Sequence, residues 1–370
     1  MGFDPAALQR ATQLTREGRL MDATRAIQEA LGNGGFAFSE PAHAPVPPTR
    51  AADEDITDVE YRELVSVPQI ETRAAPPSAR APRDASFTAH VFAFGGHRWR
   101  YRLYEPRRAD PAALLPVVVM LHGCKQDSED FARGTGMNAV AEREGFLVVY
   151  PEQLRKSNQM GCWNWFEAQH QRRGAGEPAM IAALVQSVVA SHGGDPKRVY
   201  VAGLSAGGAM AAILGELYPD VFAAVGVHSG LPAASASDVP SAFSAMRKGP
   251  GPHAVLGRRA VAIPTIVFHG SSDKTVAPGN GQAIVQQQLA AHAAGGTWLE
   301  REEARPAQAQ RAATREQWLD EQGQVRLESW CIAGGPHAWS GGHASGSFTD
   351  PQGPAASEAM ARFFLKHARS

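Results

Sequence analysis

The chain has 370 residues, of which 44% are hydrophobic and 20% are charged, a composition typical of a soluble globular protein. Its 36 basic residues nearly balance its 37 acidic residues, which leaves a formal charge of −1. We therefore expect neither nucleic acid nor an anionic membrane surface as a partner, because both select a basic surface. No apolar run approaches the roughly 20 residues needed to span a bilayer.

The N-terminus and the cysteines bear on the cellular compartment. No basic stretch followed by an apolar stretch, the pattern of a secretory signal, opens the chain, so we expect a cytoplasmic location. The three cysteines, Cys124, Cys162 and Cys331, are too few for a disulfide framework and lack the spacing of a metal site. We expect neither a metal nor another cofactor.

Three regions follow one another along the chain. Residues 1–35 carry apolar positions at near-helical spacing and end in a glycine-rich stretch, which predicts a short helical segment. Residues 36–86 are rich in Pro and Ala with little periodicity, a composition typical of a linker. Residues 87–370 are predicted to form the main folded domain.

The main domain begins with two alternating segments, residues 87–92 and 99–104, on either side of a Gly-Gly pair, which predicts an antiparallel hairpin. Short apolar runs then predict strands that are buried on both faces of a parallel sheet: residues 116–121, 146–150, 199–202, 223–227, 265–268 and 325–330. Helical patterns separate most of these runs, as at residues 178–192, 206–218 and 354–367. Strands that alternate with helices predict a doubly wound α/β domain.

The strongest local motif is Gly-Leu-Ser-Ala-Gly at residues 203–207, between the predicted strand 199–202 and the helix that follows. A sharp strand-to-helix turn holds its central serine in a strained conformation, with glycines on both sides to avoid clashes. This is the nucleophile elbow of the α/β-hydrolase fold, so we predict that fold, with Ser205 as nucleophile. The alternative interpretation is a glycine-rich turn that only packs a helix onto a sheet.

A serine nucleophile needs a base, and the base needs an acid to orient it. In this fold the acid follows the serine along the chain and precedes the histidine. Asp273 comes directly after the strand predicted at 265–268 and suits this role. Two rivals, Asp195 and Asp220, lie in sequences typical of turns next to Pro.

Thirteen histidines compete for the role of base. His337 lies in a loop beyond the last predicted strand and after the acid, the position that the fold requires. His343 is the nearest alternative. His228 and His269 end earlier strands, so we expect them to line or support the site rather than act as the base.

An oxyanion hole completes such a site. The fold takes one donor from the end of the first long parallel strand, here residues 121–124, and the other from the backbone N–H after the nucleophile, here that of Ala206.

Four segments together resemble the poly(3-hydroxybutyrate) (PHB) depolymerase family of esterases, whose relatives include feruloyl and acetylxylan esterases. They are Leu-His-Gly-Cys-Lys-Gln at 121–126, Cys-Trp-Asn-Trp-Phe at 162–166, residues 203–210 around the elbow, and His-Ala-Trp-Ser-Gly-Gly at 337–342. The resemblance extends from about residue 87 to the C-terminus. It implies ester hydrolysis, with Ser205, Asp273 and His337 as triad and the N–H groups of Cys124 and Ala206 as oxyanion hole.

The same resemblance implies substrate contacts and a disulfide. Trp163 and Trp165 are expected to shape the cleft for the acyl group or polymer, and His122 and Trp339 are expected to contact substrate as well. Cys124 is expected to pair with Cys162, although reducing conditions in a cytoplasm would oppose that bond.

The resulting hypothesis is a serine esterase that acts on hydroxyalkanoate oligomers or related short-chain esters. A carbohydrate-ester esterase of the feruloyl or acetylxylan type is the alternative enzyme. A hypothesis of another class is that residues 1–35 dock to a polymer granule or a protein. Residues 229–262, rich in small residues, suggest no bulky apolar lid, so we expect an open cleft that prefers short acyl groups.

Overall fold

The structure is a computed structural model, and it describes residues 84–108, 110, 112–251, 261–304 and 310–369. All of these residues belong to the second of two units into which the chain divides, Ala74–Ser370. The predicted helical segment 1–35 and nearly all of the predicted linker 36–86 lie outside the described residues. None of the described helices is both long and apolar enough to cross a membrane.

A ten-stranded sheet organises the described part of the chain. In chain order its strands are β1 (Ser86–Phe94), β2 (His97–Glu105), β3 (Leu115–Leu121), β4 (Leu147–Pro151), β5 (Gly194–Leu204), β6 (Ala224–His228), β7 (Thr265–Gly270), β8 (Glu300–Ala304), β9 (Ala313–Leu319) and β10 (Val325–Ile332). Their order across the sheet is β1-β2-β4-β3-β5-β6-β7-β10-β9-β8.

The six central strands, from β4 to β10 in this order, all run parallel. The predicted hairpin is confirmed: β1 and β2 pair antiparallel, and Gly95 and Gly96 between them have φ values of 58° and 74°. Glycine adopts such values most readily, which explains the Gly-Gly pair. The predicted α/β-hydrolase fold, with a mostly parallel sheet and a hairpin at its start, is confirmed.

Helices cover both faces of this sheet. They are α1 (Ser128–Thr135), α2 (Met137–Glu144), α3 (Gly176–His192), α4 (Ala206–Leu217), α5 (Val239–Lys248), α6 (Gly279–Ala294) and α7 (Ala356–Phe364). Along β3, Val117 and Val119 belong to one apolar cluster, which includes residues of α3 and α4, whereas Val118 belongs to a second cluster, which includes residues of α1, α2 and α7. Because successive side chains of a strand point to opposite faces, continuous apolar runs suit these two-sided cores.

The sequence patterns did not predict β8 and β9. These strands extend one edge of the sheet and carry many charged residues rather than an apolar run. Arg301 on β8 pairs with Glu316 on β9, and Arg315 on β9 lies 2.8 Å from Glu328 on β10. Charged edge strands protect a sheet from pairing with other chains, and they lack the hydrophobic alternation by which strands are recognised.

Candidate active site

The strained strand-to-helix turn predicted at Ser205 forms between β5 and α4. Ser205 has φ 58° and ψ −118°, a strained conformation for a residue with a side chain. A Cβ atom added to Gly203 would lie 2.4 Å from the carbonyl carbon of Gly207, and one added to Gly207 would lie 2.1 Å from the carbonyl oxygen of Leu121. Close packing therefore requires both glycines, Gly203 against the first turn of α4 and Gly207 against the end of β3. A glycine-rich turn that only packed a helix onto a sheet would not require this strained backbone conformation at Ser205.

Asp273 and His337 meet beyond the ends of two neighbouring strands, β7 and β10. His337 Nδ1 lies 2.7 Å from Asp273 Oδ2. The other carboxylate oxygen of Asp273, Oδ1, accepts the backbone N–H groups of Thr275 and Val276, each at 2.9 Å. The carboxylate is thus held in one orientation, with Oδ2 directed at the imidazole.

A second histidine, His269, also faces this carboxylate. Its Nε2 lies 2.9 Å from the carbonyl oxygen of Val276 and 3.4 Å from Asp273 Oδ2. Because both neighbours are acceptors, Nε2 must carry a hydrogen. Burial raises the pKa of Asp273, but hydrogen bonds from His269 and His337, the charge of His337 and the Val276 N–H outweigh that effect and hold the pKa well below its ordinary value. Asp273 is therefore a carboxylate throughout the pH range in which esterases work.

His228 is a buried residue that supports the loop of the proposed base, His337. It is fully buried, and its ring stacks with those of Phe268 and Trp339. Its Nε2 accepts the backbone N–H of Ser340 at 2.9 Å, three residues after His337. Burial, and secondarily the charges of His269 and His337, lower the pKa of His228 to about 3. His228 is thus a neutral acceptor, as expected for a supporting residue.

This low pKa predicts that acid destabilises the fold through His228. An unfolded histidine has a pKa of about 6.5, so between about pH 6.5 and pH 3 the unfolded chain binds a proton that the folded chain does not. The contribution of His228 is present above about pH 6.5 and is lost as the pH falls. Glutamine at this position does not titrate, and its amide oxygen can still accept the Ser340 N–H. When the pH falls from about 6.5 to 5, the free energy of unfolding should therefore drop by roughly 1.5 kcal/mol less in His228→Gln than in wild type. Urea unfolding at both pH values measures this difference, and equal losses would contradict it.

Ser205 and His337 line one cleft of about 440 Å³. In the described part of the chain the Ser205 hydroxyl has no hydrogen-bond partner, and such catalytic bonds are often long until substrate binds. The rivals lie elsewhere: His343 is exposed and contacts Ser345, while Asp195 and Asp220 pair with Arg198 and Arg173. The structure therefore brings together the three residues predicted as the triad.

The proposed oxyanion donors border the same cleft. Cys124 follows β3 and Ala206 opens α4, and both line the cleft. Backbone hydrogen bonds engage the N–H groups of their neighbours, since Ser205 N–H donates to His228 O and Lys125 N–H donates to Met160 O. No described backbone group accepts the N–H of Cys124 or of Ala206.

Cys124 and Cys162 form a disulfide, with their Cα atoms 4.2 Å apart. It ties the end of β3 to the loop that carries Trp163 and Trp165, as the family resemblance implied. Cys331 is a free, exposed cysteine on β10.

Three expected substrate contacts are corrected by the structure. Trp163 is 0% exposed and packs against His122, which is 1% exposed and contacts backbone through both ring nitrogens. Trp339 is 1% exposed, stacks on His228 and donates from Nε1 to Ser357. None of the three lines the cleft, because each side chain is buried away from it. Only Trp165 of the expected contacts does line it.

The cleft wall that the sequence patterns missed is the apolar face of α5. Val239, Ala242, Phe243 and Met246 all line the cleft, and their spacing is that of one helix face. Asp238 caps this helix by accepting the backbone N–H of Ser241 at 2.8 Å. Phe243 remains 48% exposed at the cleft. The spacing could have identified this face, but the small residues around it suggested a region without bulky apolar cover.

The remaining lining is also largely apolar. It includes Met160, Phe166, Leu231, Val276 and Phe348. The described residues contain no group of three or more His, Cys, Asp or Glu side chains placed to hold a metal ion. What the site offers chemically is a strained serine, a histidine–aspartate pair and two backbone donors around an apolar cleft.

Comparison with known proteins identifies the family. A family model described as "Esterase PHB depolymerase" matches residues 99–313. The chain belongs to this family. The match confirms the resemblance seen in the four sequence segments, all of which except the histidine loop at 337–342 fall within it.

Two curated relatives and one solved structure illustrate the range of similar proteins. Poly(3-hydroxyalkanoate) depolymerase C of Paucimonas lemoignei is 37% identical over 204 residues, which are 52% of this chain and 49% of the relative. Feruloyl esterase B of Thermothelomyces thermophilus is 35% identical over 141 residues, 38% of this chain and 47% of the relative. The chain therefore spans about half the length of these relatives.

The solved structure is an acetyl xylan esterase from Aspergillus awamori. It is 22% identical, with a TM-score of 0.56, and the likeness covers 68% of this chain and 94% of that one. At this identity the likeness concerns the fold, and it agrees with the α/β-hydrolase architecture described above.

Proposed function

We propose that the protein hydrolyses carboxylic esters through Ser205, His337 and Asp273. The observation that carries the proposal is the 2.7 Å contact between His337 and Asp273, in the cleft that Ser205 also lines. A strained serine next to an oriented histidine is the arrangement that acyl transfer requires.

Each residue has a defined role in the proposed reaction. His337 Nε2 takes the proton of Ser205 as the serine oxygen attacks the ester carbonyl carbon. The N–H groups of Cys124 and Ala206 donate to the resulting oxyanion. His337 then protonates the departing alcohol, which leaves an acyl-serine, and a water molecule activated by the same histidine releases the acid. Asp273 stabilises the imidazolium in both steps.

The substrates that we propose are hydroxyalkanoate oligomers or related short-chain esters. Support comes from the depolymerase relative and from the apolar lining of the cleft. A cleft of about 440 Å³ is at the small end of ligand sites, which favours short acyl groups. Trp165 and Phe166 in the lining, together with the feruloyl esterase relative, support an aromatic acyl group as second candidate.

A panel of esters tests these proposals. We expect kcat/KM for p-nitrophenyl butyrate to exceed that for the palmitate ester at least tenfold, because a sixteen-carbon chain would need nearly the whole volume of the cleft. Hydroxybutyrate trimer and methyl ferulate, assayed beside them, separate the two substrate candidates. Faster hydrolysis of palmitate, or a sharp rise in rate at the solubility limit, would indicate a lipase. Absence of turnover on every ester would refute the proposed activity.

A further inference from the structure

A single side chain gives the otherwise neutral cleft a permanent charge. Among the described residues that line it, only Lys125 is permanently charged, and no acidic residue is present. Lys125 is exposed, and its ammonium group has no ion pair with a described carboxylate. A cation without a partner, beside a largely apolar surface, attracts an anionic group of a ligand more strongly than it would in open solvent.

The backbone holds this lysine in a strained conformation. Lys125 has φ 65°, in the left-handed region that residues with a Cβ atom rarely adopt. Its N–H donates to Met160 O at 2.8 Å, and its neighbour Cys124 is fixed by the disulfide to Cys162. Glycine or asparagine would adopt this conformation more easily. A long cation is thus carried on a rigid turn, one residue after a proposed oxyanion donor.

We propose that Lys125 binds the free carboxylate of an anionic ester, so that the enzyme prefers hydroxyacid oligomers with a free acid end. This inference rests on the proposed esterase activity and specifies its substrate class. In a dimer of 3-hydroxybutyrate the carboxylate belongs to the alcohol part and is three bonds from the ester oxygen. Lys125 lines the same cleft as Ser205 and follows the donor that would hold the carbonyl oxygen of the same ester, which is the basis for assigning that carboxylate to its flexible side chain. Cleavage of the ester bond then separates the terminal unit from the acyl part, while its carboxylate is still bound to Lys125.

Two substrates that differ only in charge test the proposal: the 3-hydroxybutyrate dimer as free acid and as methyl ester. Wild type should hydrolyse the acid with the higher kcat/KM. Lys125→Met, which keeps a long unbranched stem, should reduce kcat/KM for the acid about threefold to tenfold, mainly through KM, and leave the methyl ester within twofold. Lys125→Glu should penalise the acid further, and Lys125→Arg should retain the preference.

Lys197→Met is the matched control, because Lys197 is an exposed lysine near the beginning of β5, seven residues from its end at the elbow. It should not change the ratio of the two substrates. A wild-type enzyme without preference for the acid, or a Lys125→Met variant equally impaired on both dimers, would overturn the carboxylate site while esterase activity stood. If wild type hydrolysed none of the three esters, neither of the two dimers nor p-nitrophenyl butyrate, the proposed function itself would be refuted.

Discussion

Ser205→Ala should lower the turnover of p-nitrophenyl butyrate by about a millionfold, because loss of a triad nucleophile removes the covalent route altogether. The fold should survive the change. Alanine keeps the same Cβ atom at φ 58°, and the lost hydroxyl has no hydrogen-bond partner among the described residues. Steady-state kinetics measure the loss, and circular dichroism with thermal unfolding verifies that the variant is folded.

Ser191→Ala is a suitable control for this variant. Ser191 is exposed on α3 and its hydroxyl donates to Ser187 O within the same helix. It should have wild-type kinetics. Turnover by Ser205→Ala within tenfold of wild type would show that another residue is the nucleophile.

The meeting of the three proposed triad residues could be predicted from sequence because a parallel sheet converts chain order into proximity. Ser205, Asp273 and His337 each follow a strand, and the carboxyl ends of β5, β7 and β10 meet at one edge of the sheet. Short apolar runs, such as residues 199–202 and 265–268, made these strands recognisable. The order of the strands and their parallel direction were enough to predict that the loops after them converge.

The second histidine at Asp273 could not be predicted in the same way. His269 ends β7, and its contact with the carboxylate depends on how the turn from 270 to 276 folds back, which brings Val276 O to 2.9 Å from Nε2. Such turn geometry is not encoded in hydrophobic periodicity. The sequence indicated only that His269 would support the site.

The tryptophans show the opposite case, contacts that were expected from the sequence but are not all formed. Trp163 and Trp165, two residues apart, were both expected at the cleft, yet only Trp165 lines it. In an irregular loop neither the twofold nor the 3.6-fold period determines which side chain faces the core. Trp163 instead packs on His122, so that it supports the strand end next to a proposed oxyanion donor.

Asp273→Asn should reduce kcat about a thousandfold to ten-thousandfold while the fold is retained, for a reason that the hydrogen bonds specify. Oδ1 accepts the N–H groups of Thr275 and Val276, so the amide oxygen of asparagine must occupy that position. Its NH2 group then faces His337 Nδ1, and two donors cannot pair. The imidazole must move its hydrogen to Nε2, and that tautomer cannot accept the proton of Ser205.

Asp220→Asn is the matched control for the same chemical change, since Asp220 is exposed and pairs with Arg173. It should retain wild-type kcat. Because the defect in Asp273→Asn is one of tautomer rather than of protonation, raising the pH to about 9 should not restore its activity to more than a few per cent. If kcat of Asp273→Asn stayed within tenfold of wild type, or recovered fully at high pH, Asp273 would not be the residue that orients His337.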